Sequence, residues 1–350
     1  MKKRLEYVDQ IRGLAILSVV IGHIIQFNNI QGGLDNRVLN IIYSFNMPLF
    51  FFISGYIGYK TIKVSDINSF LQHLQKKFIG LCIPLLTWSL IANEIFFKHQ
   101  GISITIEDIT NTILRPNLWF FKTLFEIFAF YGIFAWVSSI KKNNFWIDVL
   151  LFAVIVILTS GYSILLGNKV LSSLLLYSLF FYVAVFISKY PFLEATIMNP
   201  LVFAFSFILF VTLSGFWDIR GTIYDDILKV LISSFSFIVF LNVTIRTQWN
   251  PFISKQIMTF GKYSLGIYVI QFYLTKLTVD SPMLLFNDLN PILLFVACTA
   301  IAIPICYIAI GISKLIELNE TLDFLFLGKR KKTIAKKRNQ IETMRLQNYA

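Results

Sequence analysis

Apolar runs long enough to cross a bilayer recur along the whole chain, and no other feature restricts its folding as strongly. A membrane helix needs roughly 17–25 such residues, and runs of about that length occupy 11–30, 39–59, 79–97, 117–139, 145–165, 170–188, 198–215, 226–245, 263–279 and 291–316. The 350 residues are 56% hydrophobic and 14% charged, with a mean hydropathy of +0.70. A soluble domain is about 25% charged, so this chain has more apolar surface than a water-facing shell can cover. The expected fold is all-α: a polytopic membrane helical bundle of about ten transmembrane helices.

Charge orients the bundle. The net charge of +12 gathers in short segments between apolar runs and in the ending GKRKKTIAKKR. With a cytoplasmic N-terminus, the inner segments hold Lys2, Lys3, Arg4, Lys60, Lys63, Lys76, Lys77, Lys141, Lys142, Lys189, Arg246, Lys255 and that basic ending. The outer segments hold only Arg37, Lys98, Arg115, Lys169 and Arg220. This asymmetry predicts both termini in the cytoplasm, which needs an even number of spans, and a multi-pass protein of the cytoplasmic (inner) membrane. Residues 1–328 read as one transmembrane domain and 329–350 as a basic cytoplasmic tail. Membrane lipids are the expected partners of the basic segments. No basic groove interleaved with stacking aromatics points to nucleic acid. Cys82, Cys298 and Cys306 lie in apolar runs at no metal-ligand spacing, so packing is expected and no metal. The start has a basic segment and an apolar core but no small-residue cleavage site, and reads as a retained first span.

That first span, RGLAILSVVIGH, keeps Arg12 and His23. Eleven helical residues turn through about 1100°, so the two share one face, ~16 Å apart along the axis. Arg12 can reach the cytoplasmic interface by snorkelling. His23 falls near mid-membrane, where an ionisable group is costly and faces a cavity or a partner. Either it makes one interhelical hydrogen bond in a packed bundle, or it handles a proton while Arg12 meets an anionic cytosolic ligand.

Several segments, in order, resemble the acyltransferase 3 family of integral membrane proteins, which O-acylate sugars of surface polysaccharides and related glycans. YVDQIRGLAILSVVIGH resembles its arginine, ten residues, histidine signature with an aspartate three residues earlier. FNMPLFFFISGY, NLWFFKTLF and GKYSLGIYVIQ resemble its later motifs, and LFLGKRKK its ending. The chain departs from the family at Asn46 and Gln271, where histidines are common, and at Lys76, Lys77 and Gly80, where an Arg-x-x-Arg pair is usual. His23 is thus the one histidine inside a predicted span, with His73 and His99 in or beside loops.

The resemblance implies an O-acetyltransferase with acetyl-CoA as donor co-substrate and no bound cofactor. The acceptor is then a sugar hydroxyl on a glycan, lipid-linked in the simplest case. His23 is the candidate catalytic residue, as general base or transient acyl carrier. Arg12, Lys76 and Lys77 form a candidate cationic collar for the donor, and Asp9 either holds the Arg12 guanidinium or is a solvated acid at the helix start. Ser54 and Tyr56 are candidates along the substrate path; Gly55 between them allows close helix approach. Trp119 suits either an interfacial anchor or a sugar platform. Lys122 and Glu126, four residues apart, read first as a mutually neutralising pair and second as path-lining residues. Tyr263, Ser264 and Gln271 follow the family's late motif. Some relatives hand the acyl group to a fused extracytoplasmic domain; this chain has no room for one, so it either acylates directly or works with a separate extracytoplasmic transferase. The competing reading is a transporter or flippase for a glycan or small anion, although no inverted repeat supports it.

Overall fold

The computed structural model describes residues 5–89, 118–140, 144–165, 173–219, 222–276 and 286–329. Among these, all regular structure is helical. The chain runs through α1 (Glu6–Phe27), a 3-10 segment (Ile30–Asp35), α2 (Arg37–Thr61), α3 (Ile67–Lys77), a π-helical turn (Phe78–Cys82) and α4 (Ile83–Thr87). There follow α5 (Trp119–Ile140), α6 (Phe145–Leu165), α7 (Ser173–Lys189), α8 (Pro191–Ile197), α9 (Pro200–Ser214) and α10 (Ile223–Arg246). The last are α11 (Pro251–Lys262), α12 (Ser264–Lys276), α13 (Pro291–Ile316) and α14 (Glu320–Leu327).

Six helices, α1, α2, α5, α6, α10 and α13, are long and apolar enough to cross a membrane, and α7 with α8 makes a seventh if that pair, bent by 106°, is one span. The expected runs 198–215 and 263–279 are occupied by the shorter apolar helices α9 and α12. Most of the run 79–97 lies outside the described residues, as do His99 and everything beyond 329. His73 is not at a loop: an Asp66–Ser69 capping box starts α3, and the buried His73 sets Nε2 3.0 Å from the Phe128 carbonyl oxygen on α5.

The central helix is α1, which packs on α2, α11, α12 and α13. Two glycines set its height. A Cβ on Gly13 would stand 2.0 Å from the Ile257 carbonyl oxygen, and one on Gly261 would stand 1.8 Å from that of Asp9. Only hydrogen side chains let the two backbones meet this closely. Gln10 Nε2 donates to Ser254 Oγ at 2.9 Å in the same contact. These pairs run α11 antiparallel to the first turns of α1. At Tyr263 the chain reverses, and α12 then runs parallel to α1. Gly55 has the same role elsewhere, with a virtual Cβ 2.0 Å from the Phe181 carbonyl oxygen, and α2 and α7 pack together extensively.

A proline fixes the next helix. Pro48 inside α2 has no N–H for the carbonyl of Ser44, four residues earlier, and an unpaired carbonyl in hydrocarbon costs several kcal/mol. Ser233 Oγ on α10 donates to that oxygen at 2.8 Å. The repair locks α10 to α2 one helical turn from Lys229. Farther along, the buried Lys189 and Asp148 form an ion pair joined by Ser138 and Tyr190, tying α7 to α6.

Gly261→Ala is expected to lower stability by about 1–3 kcal/mol, because the added methyl overpacks the α1–α11 contact. Thermal unfolding of detergent-purified protein reads this as an earlier midpoint. Gly161→Ala, where a Cβ meets nothing within 4 Å, leaves the midpoint unchanged or slightly higher.

Candidate functional site

The last turn of α3 and the first turns of α1 enclose a cavity of ≈520 Å³. Arg12, Lys76 and Lys77 line it together with Ser54 and Phe128. Its wall includes Gly328, whose φ of 62° ends α14 in the left-handed conformation that favours glycine. The segment LFLGK thus folds back onto the cavity, and Lys329 then pairs with Glu317.

The half-buried Lys77 sets its ammonium 3.3 Å from the centre of the Phe128 ring. Burial, then the like charges of Lys76 and Arg12, pull its pKa down to about 7. The cation–π contact opposes that shift, but desolvation and two neighbouring cations outweigh one ring face. An anion entering the cavity would meet all three positive groups.

A second cavity, of ≈330 Å³, lies around the other half of α1 and is lined by His23, Asn46, Trp119, Tyr177, Lys229 and Tyr268, among others. His23 stacks on Phe27 with centroids 4.9 Å apart. Its Nδ1 is 3.0 Å from Gln271 Oε1 and 2.8 Å from Gln271 Nε2. The fully buried amide can therefore accept from a protonated Nδ1 or donate to a bare one. Gln271 Nε2 also donates one of its two hydrogens to the Tyr268 carbonyl oxygen at 3.1 Å, which anchors the amide against the His23 ring. Of the two positions at which the sequence departs from the resembled pattern's histidines, Gln271 bonds His23 and Asn46 lines the same cavity.

Three helices serve both cavities. Arg12 and His23 come from α1; Ser54, Ile57, Gly58 and Thr61 against Tyr43, Asn46 and Met47 come from α2; Leu124 and Phe128 against Trp119 come from α5. An aromatic layer lies between the two. Phe51 stacks on Tyr177 at 4.5 Å and meets Phe120 at 5.2 Å, and Phe120 meets Tyr268 at 5.4 Å.

The remaining expected residues take other places. Asp9 is buried where α1 meets Gly261, three residues before Arg12. Tyr56 OH donates to Glu194 Oε1 at 2.5 Å and accepts from Lys60 Nζ at 2.8 Å, an arrangement that fastens α2 to α8. Lys122 and Glu126 form a half-buried ion pair of 3.8 Å on α5, with Tyr162 OH 3.5 Å from Glu126, and line neither cavity. Tyr263 and Ser264 form the reversal between α11 and α12. Trp119 does line the His23 cavity and stacks on Tyr177, centroids 5.1 Å apart. Lys229, Tyr177 and Tyr268 are the residues that the sequence reading passed over. Of these only Lys229 carries a sequence signal, a cation four residues into the apolar run 226–245. Among the described residues no three His, Cys, Asp or Glu side chains are grouped to hold a metal.

A family model described as an acyltransferase domain matches residues 5–311. Two similar proteins are both nodulation protein NolL. That of Sinorhizobium fredii (strain NBRC 101917 / NGR234) is 28% identical over 141 residues, 38% of this chain and 37% of the relative. That of Mesorhizobium japonicum (strain LMG 29417 / CECT 9101 / MAFF 303099) is 26% identical over 146 residues, 40% of this chain and 37% of the relative. The chain thus spans little more than a third of the length of these relatives. No solved structure matches the chain.

The amine of Lys77 is expected to react with an acylating or amidinating reagent with a midpoint near pH 7, against about 10.4 for an unperturbed lysine. Mass spectrometry of the labelled peptide across pH 6–11 reads the midpoint. Because Arg12 is one of the cations lowering it, Arg12→Gln shifts the midpoint upward.

Proposed function

The chain belongs to the acyltransferase domain family, and from that premise we propose that it is a membrane-embedded O-acetyltransferase moving an acetyl group from acetyl-CoA to a sugar hydroxyl of a cell-surface or lipid-linked glycan. One observation carries the reading: α1 presents a cation to one cavity and an imidazole to another, and two further helices line both. Acyl transfer from a cytosolic nucleotide thioester needs this division, because the donor's phosphates and its reactive carbonyl lie at opposite ends of a long arm.

Arg12, Lys76 and Lys77 bind the donor's phosphates. Arginine offers a planar fork to an oxyanion, and lysine a compact point charge. The thioester arm extends past Ser54 toward the aromatic layer, which parts to admit it. In the second cavity the acceptor sugar lies against Trp119 and Tyr177. His23 is the general base: Nδ1–H donates to Gln271 Oε1, and Nε2 takes the hydroxyl proton as that oxygen attacks the thioester carbonyl. The tetrahedral intermediate then breaks its C–S bond, and the imidazolium returns its proton to the departing sulfur. Gln271 accepts from Nδ1 in the neutral and the protonated ring alike, so proton transfer requires no rearrangement around His23. An acyl-imidazole relay would use the same nitrogen and the same amide.

The proposal includes about ten spans in the cytoplasmic membrane with both termini cytoplasmic, the basic tail 329–350 lying on that side. The Arg12 cavity then faces the cytosol and the His23 cavity the opposite side, where either the acceptor itself or a separate extracytoplasmic transferase collects the acyl group.

In membranes holding equal amounts of each protein, His23→Ala is expected to lower acetyl transfer by 10²–10⁴-fold, the range for losing a general base. Arg12→Ala instead raises the apparent KM for acetyl-CoA with a smaller change in kcat. Coenzyme A release and labelled-acetyl incorporation read both. Full activity of His23→Ala contradicts the mechanism, and an unchanged donor KM in Arg12→Ala contradicts the collar. Absence of coenzyme A release from the wild type would favour a carrier.

A further inference from the structure

Lys229 stands in the wall of the His23 cavity. It lies in the second turn of α10, an apolar helix. Its ammonium is 4.9 Å from the Trp217 ring centre and 5.8 Å from that of Tyr177. Asp226, one turn earlier on the same helix, attracts it electrostatically, but among the described residues no carboxylate lies within ion-pair distance of it. Three other cations within apolar helices do have acid partners: Lys122 has Glu126, Lys189 has Asp148 and Lys60 has Glu194.

A cation buried in an apolar wall is costly unless paired, and two ring faces return only part of that cost. It is also held in place. Ser233, the next turn of α10, is tied to the Ser44 carbonyl that Pro48 frees, so Lys229 keeps its level opposite Asn46. Aromatic rings, Phe27, Tyr43, Trp119, Tyr177, Tyr268 and Phe272, make up much of the rest of its cavity, the surface that suits the apolar face of a pyranose ring.

The geometry points to an acidic acceptor: Lys229 binds a carboxylate or phosphate carried by the sugar unit that meets His23. This rests on the reading of the His23 cavity as the acceptor site. Lys229 is then a specificity residue. It draws in a glycan unit bearing an oxyanion, such as a uronic acid or a sugar phosphate, and leaves the neutral sugar of the same shape weakly held. An ion pair formed across this cavity is screened little by salt once water is expelled, and strongly during approach.

The test is binding without any acyl donor, which separates it from the question of catalysis. Full-length protein in nanodiscs is titrated with methyl glucuronide, glucose 1-phosphate and methyl glucoside. Quenching of tryptophan fluorescence is the readout, since Trp119 and Trp217 flank the site. At least one anionic sugar is expected to saturate at concentrations tenfold or more below the neutral sugar, and which one does so distinguishes carboxylate from phosphate as the group bound. Lys229→Met removes the difference while keeping the neutral-sugar midpoint; Lys229→Arg retains it. Raising salt on the wild type weakens the anionic sugar alone, a measurement that needs no variant. Equal binding of all three sugars, no saturable binding of either anion, or a preference that survives Lys229→Met overturns the proposal. Coenzyme A release, measured separately, judges the acyltransferase mechanism whatever the binding result.

Discussion

The close backbone contact between α1 and α11 is what the site depends on. Arg12 and His23 occupy one helix, so their depths are fixed relative to each other by the α-helical rise alone. Their depths relative to everything else are set by Gly13 against Ile257 and Gly261 against Asp9. From that contact the chain reverses at Tyr263 and α12 follows α1 upward, which delivers the Gln271 amide to the His23 ring. A sliding of α1 by one turn would withdraw Arg12 from Lys76 and Lys77 and separate His23 from Gln271 in a single movement.

A second constraint comes from the bilayer's demand that every backbone polar group be satisfied. Pro48 opens a gap in α2, Ser233 fills it, and the consequence is that α10 lies where Lys229 joins Asn46 and His23. The helix break and the composition of the cavity therefore share one cause. The aromatic layer of Phe51, Phe120 and Tyr268 completes the arrangement, standing between the Arg12 cavity and the His23 cavity. On the proposed mechanism the same layer imposes a conformational step, because a thioester arm would reach His23 only when those rings move apart.

Much of this was legible in the residues. The spacing of eleven between Arg12 and His23 placed them on one face because helical geometry is fixed, and the cavities confirm that face as the one looking into the bundle. Lys76 and Lys77 were legible as partners of Arg12 through their resemblance to a familiar pattern. Asn46 and Gln271 were visible as departures from that pattern, though nothing in sequence said that one bonds the His23 imidazole and the other lines its cavity. Lys229, Tyr177 and Tyr268 were not legible as site residues, because their meeting depends on the Pro48–Ser233 repair and on packing between distant helices. Tyr56 looked like a path residue from its motif; its hydroxyl is instead spent on Glu194 and Lys60, partners 138 and 4 residues away.

The central claim is that donor and acceptor occupy opposite ends of α1, and sidedness tests it most directly. Sealed inverted vesicles containing the protein and its native glycans are given acetyl-labelled acetyl-CoA from outside, the face of the Arg12 cavity. The account predicts label on glycans protected in the lumen, and none when the same donor is added outside right-side-out vesicles. Label that appears only on glycans exposed on the donor's own side, or equally in both vesicle orientations, would contradict it.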